Sequence, residues 1–399
     1  MVKIITDNKK IKGLLERGVE NVYPSKEFLE KQLKSGKKLT MYLGIDPTGP
    51  TLHLGHAINL MKMKEWQEMG HEVVLLIGSF TGMIGDPTDK TAVRKALTRK
   101  QVMDNAKKYK KQMETFISFS GKNPAKLVYN HKWLDKLTLK DMAEIGMNIT
   151  TQRLLERDMF QERIKKKAPI YFTELMYPLL QGYDSVAMGV DGEIGGNDQT
   201  FNMLVGRDLM KKMKDKEKFV ITMKLLVDPT GKKMGKTEGN MVTLEDKPSE
   251  MFGKVMSWPD EMIEGGFKIC TRISEEEMGK IIKEEARKQK LRLAEEIVKI
   301  YQGEKKSGEA REEWVRVFSK KELPDIEDLK IKEARIDLVG ILLKIEKMSK
   351  SAAWRLVDGG AVKVNGEKEL NKRKEFCDLN DGDIITVGKK KHSVRLKFV

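Results

Sequence analysis

Two histidines three residues apart, His53 and His56, stand in the stretch Asp46-Pro47-Thr48-Gly49-Pro50-Thr51-Leu52-His53-Leu54-Gly55-His56, in a chain that holds only five histidines. An apolar, strand-like run over residues 39–45 precedes them. The spacing of Ile58, Leu60, Met61, Met63, Trp66 and Met69 predicts a helix after them. A strand, a Pro/Gly turn and a helix start can form a nucleotide site, because the amides at a helix N-terminus attract phosphate. Metal ligation and general-base chemistry are the other uses open to such a pair. No cysteine or third histidine is placed to complete a metal set, so no metal site is expected.

Four further stretches carry groups of the right type. The loop of residues 78–90 contains three glycines, and Asp86 followed by Pro87 reads either as a helix cap or as a functional carboxylate. Lys90 and Arg94 lie four apart, on one helix face, and suit a polyphosphate or simply water. Residues 173–188 read as a helix that is apolar nearly all round, yet Tyr177, Gln181 and Asp184 fall on one stripe. None of the three is a Lys or Glu of the kind that fills a solvent face, and buried polar groups need partners. A polar pocket wall is therefore expected, although Pro178 and Gly182 make the helix imperfect. In Gly195-Gly196-Asn197-Asp198-Gln199 the glycines allow a ligand to approach the backbone, and Asp198 suits a ribose hydroxyl or an N-cap. Finally, a strand over 219–223 leads to residues 228–239, where glycines 231, 235 and 239 punctuate three lysines in a mobile basic loop. Asp-Pro-Thr occurs at 46–48, 86–88 and 228–230, which reads as shared turn chemistry rather than a repeat.

These groups must be positioned by an α/β framework. A helix over 25–35, strands over 39–45 and 73–77, and the helices between them predict a parallel sheet with ligands at the carboxyl ends of its strands. Residues 100–160 read as a helical, lysine-rich insertion, with Asn130 and Trp133 near a turn. Residues 245–320 read as helical and charge-rich. The tail reads as two short helices, about 335–346 and 350–357, followed by short strands. The boundaries expected are 1–244 for a Rossmann-like catalytic domain with an insertion at about 125–165, 245–325 for an α-helical domain, and 333–399 for a small α+β module. The formal charge of +16 favours a polyanionic partner, nucleic acid before membrane, over mere lysine-rich solubility. Residues 331–399 concentrate it, with 16 Lys/Arg against 10 Asp/Glu. No apolar run suggests a signal or a membrane span, and Cys270 and Cys377 suggest no disulfide framework, so a cytoplasmic setting is expected.

Taken together, His53-Leu54-Gly55-His56 and Lys233-Met234-Gly235-Lys236-Thr237 resemble the two signatures of class I aminoacyl-tRNA synthetases, and the whole chain resembles the bacterial-type tyrosyl-tRNA synthetases. Lys347-Met348-Ser349-Lys350-Ser351 matches the second signature more closely, but it sits in the tail at an expected helix start capped by Ser349 or Ser351. The glycine-flexed copy at 233–237 is the one expected to act. The resemblance implies tyrosine–tRNA ligase activity on tyrosine, ATP with Mg2+, and tRNA(Tyr), in a homodimer formed through the 130–160 region, with residues 245–325 recognising the anticodon and the tail binding RNA. It implies that Tyr42 and Asp184 hold the phenol hydroxyl, and that Asp86, Tyr177 and Gln181 hold the ammonium. Asp198 and Gln199 would lie near ribose and carboxylate, with Asp46 and Asn130 also in the pocket and Gly55, Gly195 and Gly196 beside the nucleotide. Thr48, His53 and His56 would contact ATP phosphates, and Lys90, Arg94, Lys233, Lys236 and Thr237 the pyrophosphate. Gly49 and Asn197 depart mildly from the family pattern. The tryptophan-charging relatives share fold and signatures, and a non-catalytic RNA-binding protein on the same scaffold is a third reading.

Overall fold

The computed structural model describes residues 2–88, 96–231, 241–319, 327–331, 337–345, 348–365, 367–368, 379–387 and 392–399. Lys90, Arg94, Lys233, Lys236, Thr237, Lys347 and Cys377 lie outside them. The chain forms two compact units, Met1–Gly308 and Glu309–Val399.

The first unit is built on a six-stranded sheet: β1 (Val19–Tyr23), β2 (Thr40–Ile45), β3 (Glu72–Ile77), β4 (Lys126–Tyr129), β5 (Gly192–Gly196) and β6 (Phe219–Met223), in the order β1-β6-β5-β2-β3-β4. Strands β2 to β6 run parallel, and β1 closes one edge antiparallel to β6. Because both faces are covered, β3 is a continuous buried apolar run after its first residue. From β2 the chain proceeds outward to β3 and β4 on one side and returns to β5 and β6 on the other, so a switch point falls between β2 and β5. Register places Tyr42 opposite both Val74 and Glu193, hence on one face with them.

Helix Phe172–Met188 is continuous through Pro178 and ends at Gly189 in the left-handed region. Helix Thr200–Lys214 packs on it, and helix Leu54–Glu68 follows β2. Residues 100–160, expected to be wholly helical, also contain β4. Its apolar run, Leu127-Val128-Tyr129, is too short to mark a strand by itself, and the pairing with β3 supplies its partner groups. β1 was likewise not expected. Helices Pro248–Met256, Ile263–Cys270, Glu275–Ile281, Ala286–Gln302 and Glu304–Ser319 follow β6 and the loop after it.

The second unit has a five-stranded sheet of β7 (Glu327–Ile331), β8 (Val362–Val364), β9 (Glu367–Lys368), β10 (Ile384–Val387) and β11 (His392–Phe398), in the order β7-β11-β10-β8-β9. Helices Leu338–Ile345 and Lys350–Asp358 pack on it around Ile341, Leu342, Ala353, Ile385 and Leu396. Ser349 caps the second of these helices, its hydroxyl accepting from the Ala352 amide at 3.3 Å. The tail copy of the lysine signature is thus partly a helix start.

His71 gives the first unit a pH dependence. It is fully buried, its Nδ1 accepts from the Leu39 amide at 3.3 Å, and its ring lies 4.5 Å from that of Trp66. Burial, then the Lys38 charge, pushes its pKa from 6.5 down to about 4. The unfolded chain therefore binds a proton that the folded one refuses, and stability present above pH 6.5 is lost as pH falls toward 4. The loss from this residue is up to about 3 kcal/mol. Urea midpoints measured between pH 7.5 and 4 are expected to fall less steeply for His71→Gln than for wild type; equal slopes would show that other groups govern acid stability.

Candidate active site

A cavity of about 490 Å³ opens at the carboxyl ends of β2 and β5, at the switch point. It is lined by Tyr42, Asp46, Thr48, His53, Gly55, His56, Asp86, Asn130, Tyr177, Gln181, Asp184, Gly195, Gly196, Asp198 and Gln199. Every expected site residue that falls among the described ones is therefore brought to one place. The five lysine, arginine and threonine positions in 89–95 and 232–240 are the exception, being outside those residues.

The imidazoles are built into the helix start. His53 is the N-cap of helix Leu54–Glu68, and its Nδ1 accepts from the Gly55 amide at 3.2 Å. His56 Nδ1 accepts from the His53 amide at 3.2 Å, which closes a reciprocal capping box. The rings lie 3.9 Å apart. An Nδ1 that accepts places the proton of the neutral ring on Nε2, so the cap fixes the tautomer as well as the orientation. The turn before the helix is tied to residues 241–246, which follow the second lysine motif in sequence. Leu54 N–H donates to Val242 O at 3.0 Å, and Leu244 N–H donates to Leu52 O at 2.9 Å. Asp246 holds that segment through the Thr243 amide and hydroxyl.

The stripe on helix Phe172–Met188 faces the cavity, as its spacing predicts. Asp184 is only 2% exposed. Its carboxylate accepts from Trp133 Nε1 at 2.7 Å and from Asn130 Nδ2 at 3.2 Å. Burial pushes its pKa well up, and these two donors oppose that. Asn130 is fixed in turn, because its Oδ1 accepts from the Phe80 amide and its Nδ2 also reaches Thr81 Oγ1. Thr81 donates to Asp46 Oδ1 at 2.6 Å, and Tyr177 donates to Asp46 Oδ2 at 2.9 Å. One hydrogen-bonded chain thus runs Trp133–Asp184–Asn130–Thr81–Asp46–Tyr177. Gly78 makes room for it, since a Cβ there would lie 1.8 Å from Asp46 Oδ1.

A second cluster surrounds Asp86. Its carboxylate accepts from the amide and hydroxyl of Thr88 at 2.9 and 2.7 Å, and from Gln199 Nε2 at 2.5 Å. Asp86 is therefore a turn former rather than the cap of a described helix. Asp228 makes the same turn with Thr230. The Asp46 repeat differs because its carboxylate is engaged by Thr81 and Tyr177, so Thr48 N–H donates to the Asp46 carbonyl instead, at 2.8 Å. Arg157 reaches into this cluster from the insertion, donating to Thr88 Oγ1 with its guanidinium 5.1 Å from the Phe201 ring centroid. Gly196 leaves room for the Asp198 carboxylate, since a Cβ there would lie 2.4 Å from Asp198 Oδ1.

Sequence reasoning did not single out Thr81, Arg157, Ser185, Glu193 or Lys218, and it noted Trp133 only as turn-proximal. Glu193 had a signal: an acid between glycines in an otherwise apolar strand. Lys218 had none, because it follows a run of charged residues.

A parallel sheet with a switch-point pocket and a histidine-capped helix over the nucleotide face is the arrangement of the class I tRNA synthetases. Residues 34–319 match the family described as tRNA synthetases class I (W and Y). Tyrosine–tRNA ligase of Aquifex aeolicus is 41% identical over 387 residues, 95% of this chain and 96% of that protein. Tyrosine–tRNA ligase of Thermotoga maritima is 39% identical over 396 residues, 97% of each. A C-terminally truncated mitochondrial tyrosyl-tRNA synthetase from Aspergillus nidulans superposes with a TM-score of 0.65 at 23% identity, covering 77% of this chain and 94% of that one, and so agrees in fold. The chain belongs to the tyrosine–tRNA ligase family of class I aminoacyl-tRNA synthetases.

The capping role of His53 can be separated from any role toward a ligand. His53→Ala is expected to lose ~1 kcal/mol of stability and His53→Asn to recover most of it, since Asn is among the best N-caps. Urea unfolding checks this, and equal losses in both variants would show that the cap contributes nothing.

Proposed function

We propose that this chain activates tyrosine with ATP and transfers the tyrosyl group to the 3′-terminal adenosine of tRNA(Tyr). One observation carries the reading: the pocket floor pairs a buried carboxylate, Asp184, with a buried phenol, Tyr42. A substrate phenol satisfies both, donating to Asp184 and accepting from Tyr42. An indole N–H only donates, so it can pair with Asp184 but cannot accept from Tyr42.

In the first step a tyrosine carboxylate oxygen attacks the ATP α-phosphorus, the bond from that phosphorus to the bridging oxygen breaks, and pyrophosphate leaves. The protein need supply no covalent nucleophile. It holds the reactants in line and stabilises charge developing on the leaving group. The capped His53 and His56 present Nε2–H donors beside the helix N-terminus, which suits the phosphates. Thr48 belongs with them. Lys90, Arg94, Lys233, Lys236 and Thr237 are assigned to the pyrophosphate by resemblance. Asp46, Asp86, Tyr177 and Gln181 form the polar end of the cavity that suits the substrate ammonium, and Asp198 and Gln199 suit ribose and carboxylate. Magnesium enters as MgATP, held by the phosphates; among the described residues no group of three or more His, Cys, Asp or Glu side chains could hold a metal ion. The basic 331–399 segment suits tRNA. Leu139, Met147 and Phe172 expose 88%, 80% and 75% of their surface in and just after the insertion, which supports a homodimer formed there. No helix among the described residues is long and apolar enough to cross a membrane.

Pyrophosphate exchange with each amino acid in turn tests the reading. Tyrosine-dependent exchange is expected; exchange with tryptophan alone, or with none, sinks it. Trp133→Phe keeps an aromatic ring but removes the 2.7 Å donor to Asp184. It should raise the tyrosine KM by ~10-fold or more and change kcat little, because a hydrogen bond to a charged group contributes about 1.5–3 kcal/mol. An unchanged KM would remove Asp184 from the binding site.

A further inference from the structure

Beneath the amino-acid pocket lies a buried ion pair that the mechanism above leaves unused. Lys218, the residue just before β6, is 0% exposed, and Glu193 on β5 is 2% exposed. Lys218 Nζ donates to Glu193 Oε2 and, at 2.8 Å, to Ser185 Oγ. Glu193 lines the cavity and Lys218 does not. Close helix packing makes the space for the ammonium: a Cβ on Gly206 would lie 2.6 Å from Nζ. A buried ion pair is weak evidence for stability, because desolvation offsets the attraction. The contacts of this pair point to the pocket instead.

Ser185 Oγ lies 3.0 Å from Tyr42 OH, and Glu193 Oε1 accepts from Gln181 Nε2 at 3.0 Å. An ammonium has donors only, so it occupies a lone pair of Ser185. Of the two directions open to the Ser185–Tyr42 hydrogen bond, the one in which Ser185 donates leaves the Tyr42 proton for the cavity, and Lys218, by taking one of the two Ser185 lone pairs, favours it. Glu193 is the competing acceptor for that proton, facing Tyr42 across the strand pairing, and Lys218 and Gln181 each engage one of its oxygens. At the other end, Glu193 holds the Gln181 amide nitrogen, which leaves the Gln181 carbonyl as the acceptor on the cavity side.

We propose that the buried Lys218–Glu193 pair is a positioning device for substrate specificity: it sets the hydrogen-bond direction of the pocket, making Tyr42 a donor to the substrate phenol and Gln181 an acceptor for the substrate ammonium. This rests on the tyrosine reading. Lys218, Glu193 and Ser185 would act through Tyr42 and Gln181.

The full-length protein tests it by tyrosine- and phenylalanine-dependent pyrophosphate exchange. Ser185→Ala cuts the relay with the ion pair intact, and the double variant K218M/E193Q removes both charges at nearly constant volume. Each is expected to lower the preference for tyrosine over phenylalanine by ~10-fold or more through the KM for tyrosine, with kcat changed much less, as loss of one directed hydrogen bond predicts. Urea midpoints accompany each variant, since a merely structural pair would move stability and leave the KM ratio alone. A wild-type preference in Ser185→Ala overturns the proposal whatever the double variant does. A wild-type preference in a folded double variant overturns it as well. Failure of the wild-type protein to exchange with tyrosine would instead overturn the function, before any variant is compared.

Discussion

Carboxylates held out of water are the constraint on which the site depends. Asp184 and Glu193 are almost completely buried, and Asp46 lines the same cavity. An unpaired buried carboxylate is expensive enough to be protonated or to unfold its surroundings. Each is therefore surrounded by donors from different elements. Trp133 and Asn130 come from the segment after β4, Thr81 from the loop after β3, Tyr177 from the pocket helix, and Lys218 from the start of β6. The sheet order and the fit of helix against strand are what deliver these donors, so the fold and the charge of the pocket are one problem. The same groups that satisfy the carboxylates leave a cavity with both donors and acceptors fixed in place, which is what recognition of a zwitterion with a phenol requires.

The nucleotide side obeys a different economy. His53 and His56 use Nδ1 to close the helix start, so groups that suit phosphate also complete the local structure. The backbone pairing of residues 52–54 with 242–244 joins this turn to the residues that follow the second lysine motif. The three Asp-Pro-Thr turns show how context redirects one local sequence. At 86 and 228 the aspartate folds onto its own threonine, while at 46 the carboxylate is taken by long-range partners and the turn closes through the main chain.

Much of this was legible in the chain. The alternation of β2, β3 and β6 with helices showed in apolar runs, and the Tyr177, Gln181 and Asp184 stripe showed in helical spacing, because both are periodic signals carried by neighbouring residues; β5, Gly-Glu-Ile-Gly-Gly, showed no such run. β1, β4 and β7 were not legible. β4 has an apolar run of only three residues and β7 is mostly charged, and their strand state comes from β3 and β11 across the sheet. Thr81, Ser185, Glu193 and Lys218 were missed for a related reason. Each is polar in a setting where a polar residue is common, and only its partner makes it part of the site.

By itself, then, the sequence determined the reaction class and nominated the groups for it, since two ordered signatures and a polar stripe on an apolar helix are local patterns that survive without coordinates. Tertiary structure alone decided the partners. Asp184 meets Trp133 across 51 residues, Tyr177 meets Asp46 across 131, and Tyr42 meets Ser185 across 143. Such pairings depend on strand register and helix packing, whose energies sum over many distant contacts, and no window of the chain contains them.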